Sequence, residues 1–588
     1  MHLWNLGLTD PLLLTLAADE RLTHPDYTND QIWELSLGAG EPAALALYTT
    51  FGLRARSMRL FPRFFRNDVF LTNPLEFRLP PRVTRLYPNY LDLQFSPYGG
   101  IDVQSEIWLV SSQTIAGRIT FRNPSVLRED FTFDWDSLLC PLGEGQGVAV
   151  TPLGIHNVLQ GKTDDLHLVC FMTGGPQTGA GPYAGLSLNI DLIPGDSRQV
   201  TWAVSALPDA QAAYELARQT TARPWEAEIA RIELTHASQS VEITTGDSDW
   251  DAAFMLSQRA ARALFFPSSE NLPHPSFVLA RQPSHGFSMR GNGSDYPALW
   301  SGQTVLDSWY LAGLVLPGMA DRIAGLVENF LSTQEDDGFI DWKPGLAGQR
   351  SKRLAQPLLA GLAWQVYRIN PDPEWLRKVY PGLLSFFRCW LSPLHDRDQD
   401  GFPEWDHPYQ PGLDDLLIFN PAQPHAQGIE PSAVEPPGLA AWLFNEAVCL
   451  QQIAALLAES EDETWLADQQ SRLKAAVEQT WNQKAGTYAY RDTLMHASTP
   501  GKTLLTFSER GDFSIDQVFS TPQRLQLRLT SQTELTRRVH LLLKGKNGDL
   551  PLEEEINPRD IQWLHGVGRY TSQAHFSALD QVSILGIH

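Results

Sequence analysis

The sequence predicts a multidomain α+β protein with an N-terminal antiparallel β-sandwich, then a helical toroid, then a C-terminal strand-rich module. Three observations lead there. At 588 residues the chain exceeds what one compact core supports, so about two to four domains are expected. Near residue 246 the spacing of apolar residues changes from two to three and four, and beyond Lys484 the helical spacing stops. The divisions expected are 1–245 for the sandwich, 246–492 for the toroid and 493–588 for the strand-rich module.

Composition narrows the function. Hydrophobic residues make up 43% of the chain, ordinary for a globular protein, and the net charge of -23 opposes a nucleic acid or anionic membrane partner. A neutral substrate fits that charge. Eighteen Trp and fifteen Tyr are many, and flat rings stack on sugar faces, although most such rings serve as helix core. Cys140, Cys170, Cys389 and Cys449 are scattered in apolar surroundings without a zinc-type pair, which predicts reduced thiols and a cytoplasmic location. The N-terminus has no basic leader, and no run of about eighteen apolar residues occurs, so no membrane span is expected.

In chain order, residues up to about 240 alternate with period two, as at 107–110, 115–121 and 200–204, between Pro- and Gly-containing turns. One short helix is predicted at 209–218. A longer amphipathic helix is predicted at 249–266, capped by Ser248 or Asp249. Helices follow at 303–316, 319–332, 353–369, 375–391, 436–458 and 464–483, which makes about seven from 246 onward. Their alternation with short loops and with longer, motif-bearing loops is the pattern of paired helices in an inner and an outer ring. Strands are predicted at 525–529, at 539–543 and across 583–588.

The strongest motif is the acidic loop 396–404. Asp396, Asp398 and Asp400 stand at alternate positions, Gly401 at the sixth and Glu404 at the ninth. Three side chains, the Phe402 carbonyl and Glu404 can wrap oxygen around one Ca2+, with Glu430 or Glu435 as a further ligand. The alternative is a solvated acidic turn. His407 stands where an EF-hand has its last Glu, so a regulatory EF-hand is not expected. Asp414 and Asp415 follow. Glycosidic hydrolysis needs one carboxylic acid and a second carboxylate across the ring, and only one of two adjacent Asp can face a substrate. Read from the residues alone, this pair is more often a turn former than a catalyst, by about four to one. Polar and aromatic residues at loops and helix starts, namely Trp300, Gln303, Asp307, Trp342 and Gln356, together with Trp405 and Tyr409 beside the acidic pair, are predicted to contact a saccharide. Asp307 reads either as a helix cap or as a ligand to sugar hydroxyls.

The pieces Leu306-Asp307-Ser308, Asp337-Gly338-Phe339-Ile340, Gln356-Pro357, the acidic loop and Gly412-Leu413-Asp414-Asp415 make the stretch 286–460 resemble the (α/α)6 glycoside hydrolases related to family 63. These include mannosyl-oligosaccharide glucosidases, bacterial α-glucosidases and mannosylglycerate hydrolases, with trehalases further off. The resemblance covers about a third of the chain. It implies an inverting mechanism with Asp414 as general acid, calcium in the 396–404 loop, and Asp307 and Gln356 as sugar contacts. Tyr409 stands where relatives often carry Trp. It also implies a general base from a late Glu and a complete ring of twelve helices, which needs roughly 300 residues or more. With about seven helices, and with Glu553, Glu554 and Glu555 reading as solvated, the toroid is expected to be incomplete and the base to lie beyond residue 588. The function implied is an inverting hydrolase of α-glucosidic or α-mannosidic bonds, inactive as this fragment if the base is missing. The alternatives are a non-catalytic carbohydrate-binding protein and a debranching-type α-1,6-glucosidase.

Overall fold

The computed structural model describes all residues except 1–5, 8–11, 39–43, 297–301, 414–415, 420–427, 494, 499–500, 508–509, 531–537, 565 and 588. The chain divides into two units. The first is Met1–Ser332 with Lys343–Ser351, and the second is Thr333–Trp342 with Lys352–His588. This partition differs from the divisions expected at 245/246 and 492/493. A change of periodicity marks a change of element type, whereas a unit is defined by what packs on what.

In the first unit, period-two alternation produces two eight-stranded antiparallel sheets. The predicted runs fall inside the strands Asp102–Ser111, Thr114–Arg122 and Ser197–Leu207, which lie in one sheet. Ala55–Arg66 and Glu129–Pro141 pair in the other. The inward faces meet in a shared core. Trp135 of one sheet lies 4.7 Å, ring to ring, from Trp202 of the other, and Phe133 lies 5.1 Å from Phe121. Gly117 is opposite Trp202 in register, and a Cβ there would stand 2.2 Å from the indole.

The helix expected near 209–218 is α1 (Ala210–Thr221), capped by Asp209, whose carboxylate accepts the Ala212 N–H at 2.7 Å. A second helix, α2 (Trp225–Ala237), was not expected. It buries Trp225, Ile229, Ile232 and His236 on one face. Next, α3 (Ser248–Ala263) starts one residue before the prediction because Asp247 is its cap, and it stops short because Phe265–Phe266 pairs with Ser276–Phe277. Two more helices, α4 (Val305–Val315) and α5 (Ala320–Leu331), follow. The returning segment Lys343–Ser351 is fastened here by Leu346. Its side chain joins the cluster of Phe266, Leu272, Val278 and Tyr296, and its carbonyl accepts the Ser269 hydroxyl at 2.8 Å.

The second unit holds α6 (Leu359–Ile369), α7 (Pro373–Trp390), α8 (Pro437–Leu457) and α9 (Ser460–Gln479). Among the described residues seven helices follow residue 246, as counted from the periodicity. The helix expected from 353 begins at Leu359, because the preceding stretch pairs with residues 340–342; the Ala355 N–H donates to the Ile340 carbonyl at 2.9 Å. Segment 333–342 is held in turn by Gln334, which donates to the Gly382 carbonyl at 2.8 Å. Although Asn445, Glu446, Gln451 and Gln452 interrupt its apolar residues, α8 has the length and average composition of a membrane span. It nevertheless packs on α6, α7 and α9 and buries Glu446, as a core helix does.

Beyond α9, a four-stranded sheet (Gly511–Gln523, Phe576–Ile587, Val539–Asn547 and Leu550–Ile556) and a three-stranded one (Gln526–Thr530, Val567–Thr571 and Gln562–Leu564) share a core around Leu541, Leu543, Ile556 and Phe576. Glu553 and Glu555 are exposed, as expected. Glu554 is not simply solvated, since it accepts the Tyr570 hydroxyl at 2.6 Å and the Gln573 and Ala574 N–H groups. All four cysteines are free thiols.

Candidate functional site

The motif-bearing loop joins α7 to α8. Its first half is a tight reversal with Gln399 and Gly401 at φ of 59° and 93°. Asp396 closes it by accepting the Asp400 and Gly401 N–H groups at 3.2 and 3.0 Å, and Asp400 accepts the Phe402 N–H at 2.9 Å. The second half is cross-linked. His395 Nδ1 lies 2.9 Å from Asp406 Oδ2, and Arg397 donates to Asp406 at 2.8 Å and to Glu404 at 3.2 Å. Gln410 accepts the Asp406 N–H at 2.8 Å and donates to the Leu354 carbonyl at 2.7 Å, while Gln356 donates to the Gln410 carbonyl at 2.8 Å. Two buried amides therefore pin the loop to the segment leading into α6. The Gln356 Oε1 is buried without a hydrogen-bond partner among the described residues.

The expected cation ligands separate into two groups that share Asp398. Oxygens of Asp396, Asp398 and Glu404 lie within 4.8 Å of one another, and so do ligand atoms of Asp398, Asp400, Glu435 and His496. Burial pushes Asp396 up to about 6, Glu404 to about 7 and Glu435 to about 8, with neighbouring carboxylates adding to each shift. Buried carboxylates crowded in this way are what a cation would stabilise in the ionised form. Glu404 Oε1 is buried and makes no hydrogen bond among the described residues, so the first group fits a hard divalent ion. Phe402 packs its ring under Arg491, 4.2 Å from guanidinium carbon to ring centre. Of the two extra ligands considered, Glu435 is fully buried in the second group and Glu430 is exposed.

The other predicted residues are divided between the two units or lie outside the described residues. Trp300, Asp414 and Asp415 lie outside the described residues. The turn into Asp414 is made by Gly412, at φ 78°, whose N–H donates to the Tyr409 carbonyl at 3.0 Å. In the first unit, Gln303 is buried with neither amide atom hydrogen-bonded among the described residues. Asp307 forms a capping box at the start of α4. Its carboxylate accepts the Thr304 hydroxyl at 2.7 Å, and its own N–H donates back to that oxygen at 3.0 Å. In the second unit, Trp342 lies beside Arg353, Trp405 is buried edge-on to Trp390 and Trp442 at 5.5 and 5.8 Å, and Tyr409 is exposed against His407. Gln410, Arg491 and His496 escaped the sequence reading. Gln410 sits in the motif loop and could have been found by asking what fixes the loop. His496 lies too far along the chain for ligand spacing to reveal it.

Residues 297–508 match the family model of the mannosylglycerate hydrolase MGH1-like glycoside hydrolase domain. A trehalase of Arabidopsis thaliana is 31% identical over 97 residues, which are 16% of this chain and 15% of that protein. A probable trehalase of Oryza sativa subsp. japonica is 30% identical over 91 residues, 15% of each chain. The chain thus matches less than a fifth of the length of either relative. Among solved structures, a putative kojibiose phosphorylase from human microbiome aligns with a TM-score of 0.38 at 10% identity, covering 81% of this chain and 65% of that one. A bacterial glucoamylase complexed with acarbose aligns with a TM-score of 0.41 at 10% identity, covering 81% and 69%. The segment 297–508 is thus similar to a glycoside hydrolase domain, the kind of resemblance that the motifs within it carry.

Proposed function

We propose that this chain is an inverting glycoside hydrolase for α-glucosidic or α-mannosidic bonds of small saccharides or oligosaccharide ends. The domain match across 297–508, which contains Gly412-Leu413-Asp414, carries the reading. The fold that this reading implies is an (α/α)6 toroid. Asp414 protonates the leaving oxygen, and a water attacks from the opposite face of the sugar, activated by a second carboxylate about 6.5–9.5 Å away. For that role Asp414 must hold its proton near neutral pH. The Gln356–Gln410 cross-link fixes the loop from which Asp414 emerges and leaves Gln356 Oε1 to accept a hydroxyl. Asp396, Asp398 and Glu404 hold calcium, whose charge keeps those carboxylates ionised and the reversal rigid. Four unpaired thiols support a cytoplasmic location.

The test uses p-nitrophenyl α-glucoside and α-mannoside, mannosylglycerate and α,α-trehalose, the last because the relatives over part of the chain are named trehalases. Turnover of at least one is expected, with NMR showing the inverted anomer, and Asp414→Asn should cut kcat by about 10²–10⁴-fold. Net retention at the anomeric carbon sinks the mechanism. Binding without release leaves the non-catalytic carbohydrate-binding reading. A glycogen-derived limit dextrin is assayed beside them, and release confined to it leaves the debranching reading.

A further inference from the structure

The outer face of the sandwich carries a cleft far in sequence from the glycosidase motifs. Thr201 and Arg118 face each other in register on neighbouring strands, and both point outward because Trp202 and Gly117, the next pair, meet in the core. The corner that joins α1 to α2 meets the sheet here, and between them lies a cavity of about 330 Å3. That is the lower end of the range small-ligand sites occupy, roughly 300–1,000 Å3. The charge of the lining runs against that of the chain. The chain has 68 acidic residues against 45 Lys and Arg, yet two guanidiniums and one carboxylate line this cleft. Arg118 is only 9% exposed and donates to Glu106 at 2.6 Å and to Glu226. Glu226 reaches back from the first turn of α2 with a side chain 81% exposed, and the Arg118 guanidinium holds its carboxyl below the usual range. Arg223 makes no side-chain hydrogen bond or ion pair among the described residues; its guanidinium carbon lies 5.9 Å from the Trp108 ring. One unpaired positive charge therefore belongs to the cleft. Hydroxyls stand beside it. Thr173 and Thr201 bring their Oγ1 atoms to 3.2 Å, and Thr201 donates to the Thr221 carbonyl at 3.3 Å. Each hydroxyl keeps capacity for a further partner, and the exposed Gln199 amide lines the same cleft.

We propose that this cleft binds a small hydroxylated carboxylate, a sugar acid of monosaccharide size, with Arg223 and Arg118 on its carboxylate and Thr173, Thr201 and Gln199 on its hydroxyls. A carboxylate matches one unpaired guanidinium in charge and in fork geometry, whereas a phosphate dianion leaves a charge over. Glu226 holds the place of the incoming carboxylate on Arg118, and its exposure lets it swing into water when the ligand enters. The site lies outside 297–508 and does not rest on the glycosidase reading.

The full chain is titrated calorimetrically with D-glucuronate and, separately, with D-glucose, glucose 6-phosphate and acetate. Glucuronate is expected to bind with a dissociation constant below about 1 mM, about tenfold or more tighter than the other three, and more weakly as salt is raised. Arg223→Ala should weaken that binding by about tenfold or more, and Thr201→Val by about threefold to tenfold. Glu226→Gln should instead tighten it by about twofold to fivefold, because Arg118 is then free for the ligand. Arg223 and Glu226 are exposed, so their variants are expected to fold, and circular dichroism checks this. No glucuronate binding at about 10 mM would overturn the assignment and leave the two arginines a packing role. So would equal affinity for glucose or acetate, tighter binding of the phosphate ester, or glucuronate binding unmoved by both Arg223→Ala and Glu226→Gln.

Discussion

Glu446 stands in the middle of α8 with both carboxylate oxygens turned to the start of α6, where each accepts a backbone N–H, from Ala360 and Gly361, at 2.7 Å. It takes the place of the side-chain cap that α6 lacks. Burial pushes its pKa up to about 7, and the N–H groups only partly oppose the shift. The folded state therefore keeps a proton that the unfolded chain releases near 4.5. Its contribution is fully present below about pH 4.5 and is lost as the pH rises through about 7. Glu446→Gln should remove that slope, so between pH 5 and pH 8 wild type should lose stability relative to the variant, measured by urea unfolding at each pH. Glu446→Ala leaves two buried N–H groups and a cavity, and should cost roughly 2–4 kcal/mol. From the sequence, Glu446 was one polar residue in an apolar helix. Nothing in its neighbours said that it caps another element.

Elements were legible where one physical signal decides them. Alternation alone located the strand Thr114–Arg122, and three-and-four spacing located α5 and α7 to within two residues at each end. The misses have specific causes. The stretch 353–358 has helical spacing but spends its hydrogen bonds on residues 340–342, so tertiary pairing overrides propensity. For α2, the four buried residues Trp225, Ile229, Ile232 and His236 fit a helical stripe, but α2 follows the one helix read at 209–218 in a stretch otherwise read as strands. Gly117 shows what pattern cannot reveal, since it reads as a weak point in a strand yet makes room for Trp202 across the register. Gly117→Ala should destabilise the first unit by roughly 1–3 kcal/mol, measured by tryptophan fluorescence in urea, because the indole must leave its place between the sheets.

At the scale of the molecule, the motifs pointed to the family whose model matches 297–508, while the site itself was only partly legible. The acidic loop forms as a reversal, but His496 and Arg491 come to it from about ninety residues away, a distance that sequence spacing cannot bridge. The two units are also interleaved in a way that no periodicity reveals. Lys343–Ser351 belongs to the first unit, where Leu346 fills the cluster around Phe266. A chain ending at residue 332 should therefore be less stable than one ending at residue 351 by roughly 2–5 kcal/mol, read from thermal melting followed by fluorescence. Equal melting of the two would show that Leu346 contributes nothing.

The same interleaving has a consequence for synthesis. As the chain leaves the ribosome, 333–342 emerges ahead of the stretch that finishes the earlier unit, and its own partners, residues 353–355 and then Gly382, emerge only after that stretch. Order of birth and order of completion are thus different, and the later unit has already begun before the earlier one can close.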